Sequence, residues 1–524
     1  MKQFFKSHYG ITAVLLINLI FYVIIIFKVP WFFSDDFYIF YRVGENLKYG
    51  LYPNTNEFYH LFFRPILYLS FIFDYKLLIS NPALIKITTL FIHIGFLISL
   101  YFLFINICKI YGINIHKNFI SGLILALSLS PVSCSNILWI SSKNVVLLNL
   151  FFVLAFLFVS RFIIRNKPVN LIFSFLFFIF AALSKQQAYI FPAILLILFY
   201  SLKNHITKSS LKQIFILFAI SAVVSVILIS VNMLNISTGD FEYFKYFYYK
   251  KPFVFFGTLY LTLIPLYYNE VYNFFSSNLF ITSAIAAAIS LIVLMFAARK
   301  KEYRKNLILL ILLWLISFFP QIMVHNEIRN LNMQLLVLYF ILLIILFRLC
   351  NKNVILIITL LLIVINIFAA VRTADNSVVY QTLNVNEFSA LNKIIGNNPD
   401  SNYVVLMSYH SGFNLPYEYY YYRNKTFGKS GIRGLPFYWR LENNPEYYLK
   451  NPHSFADISL NNDTLSVSST NNNISIFGDI FSLNIIETQL NTFKGFKKIK
   501  MILPGEFKEK TKLFFDGKDW LIVQ

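Results

Sequence analysis

Ile11-Thr12-Ala13-Val14-Leu15-Leu16-Ile17-Asn18-Leu19-Ile20-Phe21-Tyr22-Val23-Ile24-Ile25-Ile26-Phe27 is an apolar run broken only by Asn18, and Trp31-Phe32-Phe33-Ser34-Asp35-Asp36-Phe37-Tyr38 follows it almost at once. The run is long enough to cross a bilayer as a helix. Two adjacent carboxylates at the lip of such a span are costly to hold there, which makes Asp35 and Asp36 a candidate functional site. Lys2 and Lys6 precede the run and no small-residue cleavage site follows it. It therefore reads as an uncleaved first span with a cytoplasmic N-terminus, not as a signal peptide.

The rest of the chain repeats this pattern. It is 58% hydrophobic, 19% aromatic and only 13% charged, where soluble domains run at about a quarter charged. The net charge of +21 sits in short Lys/Arg clusters between apolar runs, as the positive-inside bias requires, and points to membrane topology and not to nucleic acid. Cys108, Cys134 and Cys350 are scattered in or beside apolar runs and offer neither a disulfide framework nor a metal site.

Taken in order, residues from Ser34 read as a surface helix with Asp35, Tyr38, Arg42, Glu45 and Tyr49 on one face, ended by Gly50 and Pro53. The segment after Arg64-Pro65 is interrupted by Asp74 and Lys76 and is too polar for a confident span. Further spans are expected from Pro82 to Ile107, from Phe119 to Trp139, after Lys143 to Arg161, up to Ala182, and back to Lys203. Others follow from Gln213 to Met233, from Phe275 to Ala298, on either side of Val324–Asn330, and finally to Ala370. Residues 252–268 are read as re-entrant or interfacial, to keep the basic cluster at Arg299–Lys305 inside. The sum is about eleven spans of roughly 20 residues each. The expected architecture is an all-α polytopic domain at 1–371, its first external loop at 30–82 carrying interfacial helices. It is followed at 372–524 by an extracytoplasmic soluble α/β or β-rich domain, marked by short alternating runs such as Tyr403–Met407, Thr464–Val467 and Asn473–Phe477. The Glu418–Arg423 run offers rings for sugar stacking, but reads more simply as the core or rim of that β domain.

On this topology Asp35, Asp36, Glu45, His60, Arg64, Lys143, Lys185, His325, Glu327 and Arg329 all fall on the external side. Carboxylates that accept protons and cations that hold anions then share one membrane face. Such a set suits transfer from a substrate with a lipid tail and a phosphate head. Arg or Lys would neutralise the phosphate and a carboxylate would act as general base or stabilise an oxocarbenium-like state. His93, inside a span, reads as a hydrogen-bonded packing residue.

These residues resemble the GT-C superfamily of membrane glycosyltransferases, which includes protein O-mannosyltransferases, the aminoarabinose transferase of lipid A and the mannosyltransferases that carry tetratricopeptide repeats. The acidic pair after the first span carries the likeness. So do Phe63-Arg64-Pro65 followed by Asn81-Pro82 and His93, the turn Trp139-Ile140-Ser141-Ser142-Lys143, Ala182-Leu183-Ser184-Lys185-Gln186, and Glu327-Ile328-Arg329. It covers residues 1–370. Gln186 stands where that pattern has Glu, and no tetratricopeptide repeats follow.

The resemblance implies an inverting transfer of a sugar from a polyprenyl-phosphate donor to a lipid, glycan or protein acceptor outside the inner membrane. Asp35 or Asp36 would serve as base. Arg64, Lys185 and Arg329 would hold the leaving phosphate, and Glu45, His60, Lys143 and Glu327 would line the substrate site. Members of the superfamily differ in their use of a divalent cation; Asp36, Glu45 and His60 are the residue types for one, but no ligand spacing is visible. Two rivals remain in view: an O-antigen polymerase or ligase, which depends on a large late external loop, and a lipid or sugar transporter, which needs ionisable residues near mid-span.

Overall fold

The computed structural model describes residues 8–29, 32, 35–48, 64–79, 81–112, 116–202, 207–234, 351–395 and most of 403–523, with a few residues between 313 and 337. The expected spans at 275–298 and around 324–330, and the segment 252–268, lie outside the described residues. The chain is mostly helical and membrane-associated. Among the described residues five helices are long and apolar enough to cross a membrane, or six if one bent pair counts as a single span. Two compact units are formed: residues 1–30, 53–267 and 280–374 in the first, and 31–52, 268–279 and 375–524 in the second.

The first unit is a helical bundle: α1 (Tyr9–Lys28), α3 (Pro65–Leu78), α4 (Pro82–Ile110), α5 (Lys117–Ser128), α6 (Pro131–Leu138), α7 (Lys143–Arg165), α8 (Val169–Ala182), α9 (Phe191–Leu202), α10 (Lys208–Leu234) and the N-terminal part of α11 (Lys352–Ile395). Helix α2 (Asp35–Lys48) belongs to the second unit. Asn81 caps α4 by accepting from the Ala83 amide, with Pro82 in the first turn, where a missing N–H costs nothing. Asn166, at φ 50°, ends α7 in the left-handed conformation that Asn tolerates. Helix α7 is central, packed against α4 and α8 and buried along most of its length, whereas α10 exposes Phe215, Ile216, Ile220, Val223, Val226 and Ile227. A face of aliphatic and aromatic side chains left uncovered on a long helix is what hydrocarbon solvates.

Two expectations are corrected, and a third is made more exact. Residues 119–139 do not form one straight span. Helices α5 and α6 meet at 57°, because Pro131 cannot donate and Ser130 caps a new helix by accepting from the Ser133 amide. The segment after Arg64, read as too polar for a confident span, is a 14-residue helix that is not among those long and apolar enough to cross a membrane. The last helix does not stop near Ala370. It runs 44 residues, roughly 66 Å at 1.5 Å per residue, and its portion beyond Asp375 packs Leu383, Phe388, Leu391 and Ile395 into the second unit's core.

That second core lies under two sheets. A four-stranded mixed sheet has the order β10-β9-β1-β2, with β1 (Tyr403–Met407) parallel to both β2 (Arg433–Gly434) and β9 (Thr511–Phe515), and β10 (Trp520–Val523) antiparallel at the edge. A six-stranded antiparallel sheet combines β3 (Phe437–Leu441), β4 (Ala456–Asn461), β5 (Thr464–Ser469), β6 (Ile474–Gly478), β7 (Asn484–Leu490) and β8 (Phe496–Ile502), with β8 pairing β5, β6 and β7. Period-two alternation turns Leu465 and Val467 inward. Trp439, fully packed, donates its indole N–H to the Phe515 carbonyl at 2.7 Å. The tyrosine run forms α12 (Leu415–Asn424) and not a strand; Tyr419 enters the core while Arg423 stays exposed.

Candidate functional site: a polar end of the helical bundle

Side-chain contacts fix which helix ends in the first unit lie together. Helix α1 runs antiparallel to α4, since the His8 ring bonds the Tyr101 hydroxyl while Lys86 reaches the Val29 carbonyl. Helices α4 and α7 run parallel: Lys143 bonds Thr88 near their starts, and Asn106 bonds Ser160 near their ends. Helix α10 begins beside Asn166, through Ser210, and ends beside Tyr189, through Asn232. The Ile66 amide donates to the Leu183 carbonyl, tying the start of α3 to the end of α8. Arg64, Lys86, Lys143, Lys185 and Gln186 consequently share one end of the bundle.

Two polar constellations stand there. In the first, the Lys143 ammonium donates to both carboxylate oxygens of Asp74, at 2.9 and 2.7 Å, and to Thr88 Oγ1 at 3.1 Å. All three N–H bonds of the ammonium are thereby used, and the pair is almost wholly buried. Burial without such pairing would cost several kcal/mol per charge. Lys143, expected to line a substrate site, is committed to Asp74.

In the second, Arg64 donates from Nε at 3.0 Å and from Nη2 at 2.6 Å to the single Oε1 of Gln186. A guanidinium has only donors, so the amide must turn its oxygen to Arg64 and its Nε2 away. That Nε2 is buried with no hydrogen-bond partner among the described residues. At this contact a neutral amide oxygen, and not a carboxylate, accepts from the guanidinium. Tyr189, whose hydroxyl accepts from Asn232 at 2.8 Å, lies close enough to Arg64 to interact with it electrostatically. Lys185, adjacent in sequence to Gln186, is buried and caps the 3-10 turn Gln186–Ile190 with an extended backbone.

His93 is buried between Tyr22 and Phe96 rings, and its Nε2 finds no hydrogen-bond partner among the described residues. The expected packing role is thus aromatic and not hydrogen-bonded. Asp74, Lys86, Thr88 and Asn232 did not figure among the candidates. Their only sequence signal is a single polar residue inside an apolar stretch, which for Asp74 reads equally as a break in a span.

In the second unit, Asp35 and Asp36 open α2, where carboxylates suit the positive end of the helix dipole. The Asp36 side chain is fully buried and Glu45, later on the same helix, is partly so. The apolar side of α2 packs within this unit: Phe32 meets Phe37, Phe40 and Tyr421 at centroid distances of 5.5 to 5.7 Å. His60, Glu327 and Arg329 lie outside the described residues, as does His325.

Among the described residues no three His, Cys, Asp or Glu side chains gather closely enough to hold a metal ion. His60, the third residue named for a cation with Asp36 and Glu45, lies outside the described residues. No protein-family model matches this chain, and no curated protein matches it in sequence.

Proposed function

We propose that this chain is an integral-membrane glycosyltransferase of GT-C type, which moves a sugar from a polyprenyl-phosphate donor to an extracytoplasmic acceptor with inversion. The proposed topology has about eleven spans across the inner membrane, a cytoplasmic N-terminus, a transmembrane domain over 1–371 and an extracytoplasmic domain over 372–524. The observation that carries the reading is the Arg64–Gln186 contact: a guanidinium oriented by an amide, beside Lys185, at the polar end of an otherwise apolar bundle. A half-buried guanidinium forked onto an amide oxygen, next to a buried lysine, is the type of donor set from which a phosphate oxygen accepts.

In this mechanism Arg64 and Lys185 hold the donor phosphate. Asp35 or Asp36 takes the proton from the acceptor hydroxyl as its oxygen bonds to the anomeric carbon. The bond from that carbon to the phosphate oxygen breaks with its electron pair, releasing polyprenyl phosphate and inverting the centre. Loss of charge from the sugar and gain of charge on the phosphate proceed together, so the cations act most strongly in the transition state.

The test is release of polyprenyl phosphate from a panel of undecaprenyl-phosphate sugars by the purified protein in liposomes, with membrane-extract glycolipids as acceptor. Asp35→Asn and Asp36→Asn are compared with the unaltered chain. Loss of release in at least one, with the protein still folded, supports the base; full activity in both overturns its assignment.

One observation favours a second reading, a polytopic transporter: Asp74 and Lys143 form an ion pair inside the bundle, where proton or ion relays are built. Uptake of a labelled substrate driven by a pH gradient, and abolished in Asp74→Asn, would select it over transfer.

A further inference from the structure

Towards the end of the bundle away from Arg64, the first unit holds an apolar cavity that the transfer chemistry does not use. About 900 Å³ of space lies between α4, α7, α9 and α10. Its wall includes Leu103, Phe104, Phe156, Leu195, Ile214 and Leu336. Two hydroxyls interrupt that wall. Ser160 Oγ is already spent, donating to the Leu157 carbonyl at 2.7 Å and accepting from Asn106 Nδ2 at 2.9 Å. Tyr111 stands where α4 ends. No other side chain among the described lining residues forms an ordinary hydrogen bond, so the wall suits hydrocarbon and would strip a polar ligand of its partners.

The helix ends around this cavity are cationic. Helices α4 and α7 end there and α10 begins there, tied by Ser210 Oγ donating to Asn166 Oδ1 at 2.9 Å. Lys109 adjoins the lining residue Ile110, Arg165 shares the last turn of α7 with Ile163, and Lys208 and Lys212 precede Ile214 on α10. All four are exposed, as is Lys167 beside them. Arg161 is directed elsewhere, over the Phe158 ring at 5.1 Å. Against these charges, Asp74 is the only Asp or Glu among the described residues of the first unit, and it is paired with Lys143 at the opposite end. Cations at helix ends are by themselves what membrane topology requires. A hydrocarbon cavity that reaches their own helical turns adds a place for the tail beside a place for the head of one amphiphile, with lysine and arginine stems lying along apolar surface and their charges in the headgroup layer. Ile163 lies roughly 30 Å along α7 from Lys143, so the anion met here is not the one held by Arg64 and Lys185.

We propose that the cavity takes an acyl chain of an anionic phospholipid, whose phosphate is met by the cations that end α4 and α7 and open α10: Lys109, Arg165, Lys208 and Lys212. A neutral phospholipid would leave these cations without an anion, and a free phosphate would leave the cavity without hydrocarbon. The site is independent of the proposed function, since it needs a membrane but neither donor nor chemistry.

The experiment titrates the full chain, in a non-ionic detergent, with dioleoylphosphatidylglycerol, dioleoylphosphatidylcholine, glycerol 1-phosphate and undecaprenyl phosphate, and counts bound copies by native mass spectrometry. The first phosphatidylglycerol is expected to bind about tenfold more tightly than the first phosphatidylcholine, the size of one charge-assisted bond. Lys109→Gln and the double variant Lys208→Gln/Lys212→Gln should each shrink that preference and leave phosphatidylcholine binding unchanged. Val153→Phe, which fills the cavity from α7, should weaken both phospholipids; Ile110→Trp takes its place if the phenylalanine variant fails to fold. Equal binding of the two phospholipids, a preference kept in both charge variants, or full phosphatidylglycerol binding in a folded cavity variant would overturn the site. Glycerol 1-phosphate competing as well as phosphatidylglycerol would overturn it too, by showing that the chain is not engaged. Undecaprenyl phosphate that binds while phosphatidylglycerol stays bound supports a separate phospholipid site; displacement of phosphatidylglycerol by an equal concentration would give the cavity to the sugar carrier and overturn the proposal.

Discussion

Lys143 Nζ lies 2.7 Å from Asp74 Oδ2, and the two side chains are 2% and 0% exposed. The residues are 69 positions apart in the chain, so the bond clamps the short helix α3 onto the start of α7. Removing one partner leaves an uncompensated charge in an apolar bundle. Asp74→Asn or Lys143→Met should each destabilise the folded chain by about 3–5 kcal/mol. The double variant Asp74→Leu/Lys143→Met should recover most of that loss, since an apolar pair of similar volume needs no desolvation. Unfolding in mild detergent by denaturant titration measures all three.

The neutral amide of Gln186 accepts twice from the Arg64 guanidinium. Gln186→Glu should keep the fork and add a formal ion pair. Under the proposed function it should lower donor affinity by about tenfold, as one charge-assisted phosphate contact is weakened. Gln186→Ala should disorder Arg64 and cost less in donor affinity than the glutamate. The apparent KM for an undecaprenyl-phosphate sugar is the readout, and a glutamate variant with unchanged KM would remove Arg64 from the phosphate site.

Gly122 on α5 lies against Thr359 on α11. A Cβ built there would lie 2.8 Å from Thr359 Cγ2, a distance that real side chains do not adopt. Small residues let membrane helices meet in this way. Gly122→Ala should cost about 1–3 kcal/mol through overpacking, and Thr359→Ser, which removes the offending methyl, should relieve it. A double-mutant cycle on thermal stability shows the coupling, and strict additivity would place the contact elsewhere.

The Tyr417 hydroxyl, pushed up to about 12 from 10.0 by burial and by Tyr38 and Tyr41, gives a pH signature. Below pH 10 the phenol is neutral in both folded and unfolded chains and its contribution to stability is whole. Between about 10 and 12 the unfolded chain ionises first, so stability falls with rising pH. Tyr417→Phe should flatten that part of the stability profile relative to the unaltered chain, and an unchanged alkaline limb would show that Tyr417 titrates normally.

Much of the architecture was legible because its signals are local. The apolar run from Ile11 predicts α1, and Pro82 after Asn81 predicts the start of α4, since capping and hydrocarbon length act within one segment. Alternation at Tyr403–Met407 and Thr464–Val467 predicts strands for the same reason. The bend between α5 and α6 was half legible: Pro131 is visible in the sequence, but Ser130 capping a new helix depends on the fold taken around it.

Other features had no local signal. Helix α11 outruns its apolar stretch because Leu383, Phe388, Leu391 and Ile395 find a core among the strands. The tyrosine run at 418–423, which periodicity leaves open, is helical because one side of it reaches that core through Tyr419. Lys143 reads as a loop cation and Asp74 as a break in a span until α3, α4 and α7 bring them together.

Sequence alone determined that this is a helical, membrane-associated chain with a strand-containing C-terminal region, since hydrophobic length and period are properties of consecutive residues. It also put Arg64 and Lys185 at apolar segment ends, where charged side chains keep company with water. Only the tertiary structure decided that Arg64 is held by Gln186, that Lys143 belongs to Asp74, and that Tyr38 and Tyr41 meet Tyr417. Each of those pairings joins residues distant in the chain. Charge compensation and ring packing depend on distance in space, which no local pattern specifies.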